Sequence, residues 1–518
     1  MSAIDEKTRS TRRSRRQKHA DEPRPSVRKT NYRQLRNPFP PMTVFTEDRV
    51  QAIHETSLRV LEELGLKILL PEAFDLFEKA GAIVDRDTQM VRIGRDIVEE
   101  ALASAPRSIP MIAGSRDRDL LFELGTLAIQ TGGGAPHLTD LKRGRRPGSF
   151  SDYLEIVKLT QTYDVLHMQN PAIEPQDVPI NIRHLKVTNA QLTLSDKIPF
   201  VFARSPGQTA DVFEMIRMAR GLTEDEFVQN SRCFTIINTN SPRQIDIPMA
   251  QGLIDFARAG QVSIVTPFCL AGAMAPISIA GALTLSHAEC MAGITLTQLA
   301  KKGAPVCYGS FISNVDMKSG APAFGTPEQV KAALASGQMA RHLGLPWRNS
   351  AGSAANINDA QAANENTMAA WGAMMAGCTV MVHGAGWLEG GLTVSLEKLI
   401  TDLEVMQMLA ELFVPVPADD AAIGFETIKE VDPGGHFFAA TQTMENFTTA
   451  FYEPLVADWN NFGTWTERGE LTASDRATKI WQQNLKDFIA PPMDKGLKQE
   501  LQAFVDRRID EGGSFPVS

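Results

Sequence analysis

The chain is poor in the features that place a protein at a glance. It has five cysteines in 518 residues, and none form a C-x-x-C pair. Cys233, Cys269, Cys290, Cys307 and Cys378 stand apart, mostly in apolar runs that look like strands. That excludes a disulfide scaffold or a zinc–thiolate set and points to reduced core thiols in a cytoplasmic protein. Positive charge is also in short supply. With 52 Lys and Arg against 61 Asp and Glu, the net charge is −9, the wrong balance for a nucleic-acid partner. No apolar segment of the secretory type opens the chain. The uncharged stretch 262–286 is cut by Pro267 and Pro276 and filled with small residues. It reads as a buried strand, a loop and the start of a helix, not as a membrane span. Gly132-Gly133-Gly134 lacks the spacing and the following acid of a dinucleotide fingerprint. There is no G-x-S-x-G nucleophile turn. His383 and Glu389 have no companions at metal-ligand spacing, so no metal is expected.

What is present is a repeat. Apolar runs that exit into glycine, proline or polar residues occur at 127–138, 165–175, 199–206, 233–242, 262–272, 305–316, 346–356 and 378–391. They start roughly 30–45 residues apart, the length of one strand–helix unit. Helical patterns fill the gaps at 209–220, 245–259, 281–302, 327–343, 359–376 and 395–413. Eight such units predict an α/β protein, a closed (β/α)8 TIM barrel with an N-terminal α+β cap and a C-terminal helical extension. The expected boundaries are a disordered basic arm at 1–37 (RRSRRQK lies within it), the cap at 38–126, the barrel at 127–413 and the extension at 414–518. Within the cap, Thr46-Glu47-Asp48 predicts a helix start, Pro71 to Lys79 a second helix, and 80–94 a hairpin turning at Asp85-Arg86-Asp87.

Barrel chemistry sits where strands end. The last exit, AGCTVMVHGAGWLEGG (376–391), carries the densest reactive set. His383 ends a strand there, as a packed histidine or a catalytic one. Trp387 is a lid residue or one wall of a cation box. Glu389 either pairs with an arginine or offsets a cationic ligand. Phe311 stands at the 305–316 exit. Arg243 and Arg348 are ion-paired or anchor a carboxylate. His436, after Gly434-Gly435, is a turn histidine or reaches the site from the tail.

Four stretches then carry a resemblance: AGAMAPISIAGALTLSHAE (271–289), HGAGWLEGGL (383–392), SAANINDAQ (353–361) and GGHF (434–437). Together they resemble the trimethylamine methyltransferase superfamily, from about residue 40 to the C-terminus. The resemblance implies a TIM barrel with no tightly bound cofactor. It also implies transfer of a methyl group from an amine to the cob(I)alamin of a separate corrinoid protein. Family members that use trimethylamine carry pyrrolysine at the exit where Asn356 stands here. The resemblance is therefore to the non-pyrrolysine branch, known for quaternary amines such as glycine betaine. A quaternary ammonium leaves as a neutral tertiary amine and needs no proton, so the site must position and exclude water more than perform acid–base work. On that reading His383, Glu389 and Asn356 form the catalytic set. Trp387 and Phe311 flank the cation, Arg348 or Arg243 receives a substrate carboxylate, and His436 adds to the binding side. A sulfonium donor such as dimethylsulfoniopropionate is the alternative enzyme reading, and a ligand-binding barrel without catalysis is the third. Such barrels often self-associate, so a homo-oligomer is expected.

Overall fold

The computed structural model of the protein describes residues 32–517. The basic arm expected at 1–37 lies outside them as far as residue 31. The chain divides into two units, one holding Val414–Pro454 and the other Tyr32–Phe413 with Leu455–Ser518.

In the larger unit six strands form a parallel sheet: Thr126–Ile129, Phe234–Ile237, Val262–Val265, Val306–Gly309, Trp347–Ser350 and Val380–Val382. Their spatial order follows the chain from Phe234–Ile237 through Val380–Val382, and Thr126–Ile129 comes next. Leu35–Arg36 pairs antiparallel at its edge. Registers include Ile264 against Cys307, Tyr308 against Trp347 and Ser350 against Val382. These strands are buried, which is why most of them read as continuous apolar runs; Trp347-Arg348-Asn349-Ser350 is buried yet polar. Phe234, Ile264, Cys307 and Val380 share one apolar cluster. Val265, Tyr308, Trp347 and Met381 belong to the main core.

Among the described residues no closed ring of eight regular strands forms. The runs at 165–175 and 199–206 make isolated bridges instead, Ala135 to Ile173, Met168 to Ile198 and Phe200 to Phe234. The His167 N–H donates to the Ile129 carbonyl (2.8 Å), while the Ile129 N–H donates to His167 Nδ1 (3.0 Å). A side chain therefore takes one ladder position. Pro171, Pro175, Pro199 and Pro206 bring no N–H, so a regular ladder cannot continue through either segment.

Helices follow the strands, and their starts are set by local chemistry. Ser149, Ser205, Asp246, Ser278, Thr326, Asp359 and Ser395 each accept a backbone N–H of the first turn. Each satisfies a donor that the helix itself cannot. The helix Leu396–Leu412 buries Leu396, Leu399, Ile400, Leu403, Met406 and Leu409 as its stripe requires. Its last stripe residue, Leu412, stays exposed. The helix Ile279–Ala300 is long and apolar enough to cross a membrane by composition. Most of it is buried, against the helices Glu47–Arg59, Arg95–Ser104 and Ile247–Arg258.

Before the sheet, the helices Glu47–Arg59, Pro71–Lys79 and Arg95–Ser104 surround a hairpin, Ile83–Asp85 with Met90–Arg92. The strand Leu66–Ile68 pairs parallel with Gln244–Ile245 and ties this cap to the sheet region. All five cysteines are free and buried.

The smaller unit is different in kind. Val414–Pro454 contains the short helices Asp420–Ile423, Phe425–Lys429 and Thr441–Asn446. Only Gly424 and Ala440 in it are buried.

Candidate active site

Parallel strands end on one side, so their exits share a rim. Five of those exits contribute to one site. After Val380–Val382 the backbone turns sharply: His383 has φ 62° and Gly386 φ 89°. The His383 N–H donates to the Thr131 carbonyl (3.3 Å), and the Gly384 N–H to that of Gln130 (2.9 Å). Trp387 then pairs antiparallel with Val394. Glu389 also sits at positive φ, 52°. Non-glycine residues in the left-handed region are costly and gather at functional sites.

The turn places Trp387 in an aromatic box. Its indole stacks on the His383 imidazole, centroids 3.9 Å apart and planes 1° from parallel. Phe324 lies 5.3 Å from Trp387, Phe311 lies 5.5 Å from Phe324, and Phe311 lies 5.2 Å from His383. Phe268 touches Phe311 at 4.9 Å. Bare backbone makes room for the indole. A Cβ at Gly132, Gly352 or Gly391 would stand 2.7, 2.4 or 2.3 Å from its ring atoms. Gly133 likewise lies against Asn170, and Gly134 faces Phe202 and Glu174.

Arg348 closes the box from the strand Trp347–Ser350. It is 2% exposed, and its guanidinium carbon sits 5.0 Å from the Phe311 centroid. Its one hydrogen bond among the described residues runs from Nη1 to the Ser310 carbonyl (3.3 Å), and Nε has no partner. No carboxylate pairs with it among those residues. Burial pushes its pKa down to about 9. A buried charge without a counter-charge costs several kcal/mol, and a protein normally supplies a partner. His383 Nδ1, Trp387 Nε1, both amide atoms of Gln130 and Ser350 Oγ are buried and unpartnered as well. So many orphan polar atoms at adjoining strand ends mark a place built to receive a polar ligand. Burial, and then the Arg348 charge, hold His383 well below the usual histidine pKa, so it is neutral.

Of the residues the sequence singled out, four come together: His383, Trp387, Phe311 and Arg348. Glu389 stands at the rim. Both its oxygens accept from Arg145 (2.8 and 2.9 Å), and that pairing lowers its pKa. Its charge is thus already offset. Asn356 is exposed, one residue past Ala355, whose carbonyl accepts the Glu389 N–H. The Arg243 guanidinium is taken by the carbonyls of Leu64 and Gly65 (3.3 and 3.1 Å). His436 is exposed in the smaller unit. Sequence reasoning passed over Phe324, Phe268, Gln130 and Gly352. Phe324 lies outside every strand exit, on the chain returning from a hairpin. The signal available for it was the Pro322–Thr326 turn just before a capped helix.

Beyond the glycine strip a narrow cleft, with a cavity of only about 30 Å³, is lined by Glu174, Arg183, Phe202 and Arg204. Its charges are paired, Glu174 with both arginines.

An aromatic box with a neutral histidine and a buried arginine, at the strand exits of an α/β sheet, is the kind of place where enzymes of this architecture hold a small molecule. The chain belongs to the trimethylamine methyltransferase family, whose profile matches residues 8–513, and it is a methyltransferase. It is 33% identical to glycine betaine methyltransferase from Desulfitobacterium hafniense (strain Y51), over 92% of this chain and 99% of that one. It is 28% identical to a trimethylamine methyltransferase from Methanosarcina mazei, over 90% and 95%. Among solved structures, the Methanosarcina barkeri monomethylamine methyltransferase aligns with 88% of this chain and 92% of its own, at TM-score 0.46 and 10% identity.

Proposed function

We propose that this enzyme demethylates a quaternary amine that carries a carboxylate, of the glycine betaine kind, and passes the methyl group to cob(I)alamin held by a separate corrinoid protein. The observation that carries the reading is Arg348, buried beside the aromatic box with no acid to pair with. A bare cation in the box would face that guanidinium at about 5 Å, a repulsion of ~3 kcal/mol at an effective dielectric of ~20. A zwitterion reverses the sign. Its carboxylate takes the Arg348 Nε–H, and its ammonium methyls lie on the rings of Trp387 and Phe311.

In the transfer the C–N bond breaks and its electron pair stays on nitrogen, giving a neutral tertiary amine. The methyl carbon bonds to Co(I), which formally becomes Co(III). The residues of this chain hold the donor in line and keep water out. No proton is moved, in keeping with a neutral His383 and with a Glu389 committed to Arg145. We read the eight exits as one closed barrel over 127–413, with the two bridged segments as its irregular strands. The cap would then occupy 38–126 and the extension 414–518.

The test is absorbance-monitored methylation of Co(I) corrinoid with glycine betaine, dimethylsulfoniopropionate, tetramethylammonium and trimethylamine. The reading expects turnover with glycine betaine and little with tetramethylammonium. Equal use of both overturns the role given to Arg348. A preference for the sulfonium moves the donor to that class.

A further inference from the structure

We propose that Gln130 is the second anchor of the donor's carboxylate, and that its being an amide, not an acid, makes the site prefer a zwitterion to a bare cation. The inference rests on the reading in which Arg348 takes that carboxylate. Alternation along the strands places both residues on one face of the sheet. Ala128 belongs to the apolar cluster of Ile264, Cys307 and Val380, and Ile129 to the main core, so Gln130 turns back to the side of Ala128. On the strand Trp347–Ser350, Trp347 faces the main core, so Arg348 and Ser350 face the other way. The strand Val380–Val382 runs between the two. Arg348 pairs with Val380 and Ser350 with Val382, while Val380 pairs with Ala128. The Gln130 N–H donates to the Met381 carbonyl (3.0 Å), which continues that register. One row across three strands thus runs Ser350, Val382, Gln130, with Arg348 one step below Ser350. The outer two strands stand roughly 10 Å apart, twice the strand spacing. Gln and Arg side chains span such a gap from opposite sides when a carboxylate bridges them.

The polar atoms of this row are waiting for a ligand. Gln130 is 0% exposed, Ser350 1% and Arg348 2%. Nε2 and Oε1 of Gln130, Oγ of Ser350 and Nε of Arg348 all lack a partner. Buried polar groups are normally satisfied, so four orphans in one row call for a common occupant. A carboxylate accepts from the Arg348 Nε–H, the Gln130 Nε2–H and the Ser350 hydroxyl together. Gln130 Oε1 is left to a water that enters with the donor. A glutamate at this position would pair with Arg348 and cancel the charge that holds the donor. The amide adds a hydrogen bond and leaves that charge free.

Calorimetric titration with glycine betaine and with tetramethylammonium tests this. Gln130→Glu supplies Arg348 with the acid it lacks. Affinity for glycine betaine is expected to fall about a hundredfold, and affinity for tetramethylammonium to rise about tenfold. Opposite shifts for two ligands are a signature that a merely structural residue does not give. If Gln130→Glu fails to fold, Gln130→Met carries the test. It is expected to bind glycine betaine about tenfold more weakly and tetramethylammonium unchanged. Glycine betaine bound equally by wild type and variant overturns this proposal and leaves the Arg348 reading standing, and so does an equal loss of both ligands in the variant. A wild type that binds tetramethylammonium as tightly as glycine betaine overturns the Arg348 reading and this inference with it.

Discussion

The His383 imidazole lies flat on the Trp387 indole, ring centroids 3.9 Å apart, and the stack exists because His383 adopts φ 62°. That backbone turn swings the following Gly384–Gly386 linker back under the strand exit. It lets the indole fill the space left by Gly132, Gly352 and Gly391. The two rings make one wall, and the wall is uncharged.

Trp387→Ala should remove the largest face of the box. Cation–π contacts in a desolvated site are worth ~2 kcal/mol, so affinity for a quaternary amine should fall about thirtyfold. Trp387→Phe should keep part of it. Calorimetric titration with glycine betaine measures both. Unchanged affinity in the alanine variant would remove Trp387 from the cage.

Arg348→Met keeps the bulk of the side chain and deletes the charge. It should cost a carboxylated donor about 2–3 kcal/mol, roughly a hundredfold in KM. It should leave tetramethylammonium unaffected or bind it better. A parallel loss for both ligands would mean that Arg348 supports the fold and does not read the carboxylate.

Gly352→Ala puts a methyl 2.4 Å from Trp387 Cε3, at a residue whose φ is +118°. Both the clash and the backbone are unfavourable for alanine. The expected outcome is a loss of about 2 kcal/mol in stability, with a larger loss of binding as the indole is pushed off His383. Denaturant unfolding and tryptophan fluorescence report the two separately.

Acid should weaken the protein through a buried histidine pair on the cap side. His54 Nδ1 and His287 Nε2 are 3.0 Å apart, and His287 Nδ1 is 3.1 Å from the Tyr308 hydroxyl. Burial lowers His54 from 6.5 to about 4 and His287 well below 6.5. Both are neutral when folded, while the unfolded chain takes up protons below 6.5. Their stability contribution is thus complete above pH 6.5 and drains away as pH falls toward 4, about 3 kcal/mol for His54 alone. Melting temperature from pH 8 down to 4.5 checks this, and His54→Gln should flatten the slope.

Much of the frame was written in local residues. Helices expected at 327–343, 359–376 and 395–413 are found at Pro327–Leu343, Ala360–Met375 and Leu396–Leu412. Their boundaries come from nearby caps at Thr326, Asp359 and Ser395, which act within one turn. The apolar runs that became strands, and the position of Phe311 at a strand exit, follow from the same short-range pattern. Tertiary structure decided the rest. Pattern cannot tell that the prolines and His167 would turn two of eight strands into isolated bridges, because backbone pairing depends on what the neighbouring strand offers. Nor can it tell that Arg145 would take the charge of Glu389, that Leu64 and Gly65 would occupy Arg243, or that Phe324 would return to stand beside Trp387. Those outcomes rest on contacts between residues tens to hundreds of positions apart, and only packing into one volume brings them within reach of each other.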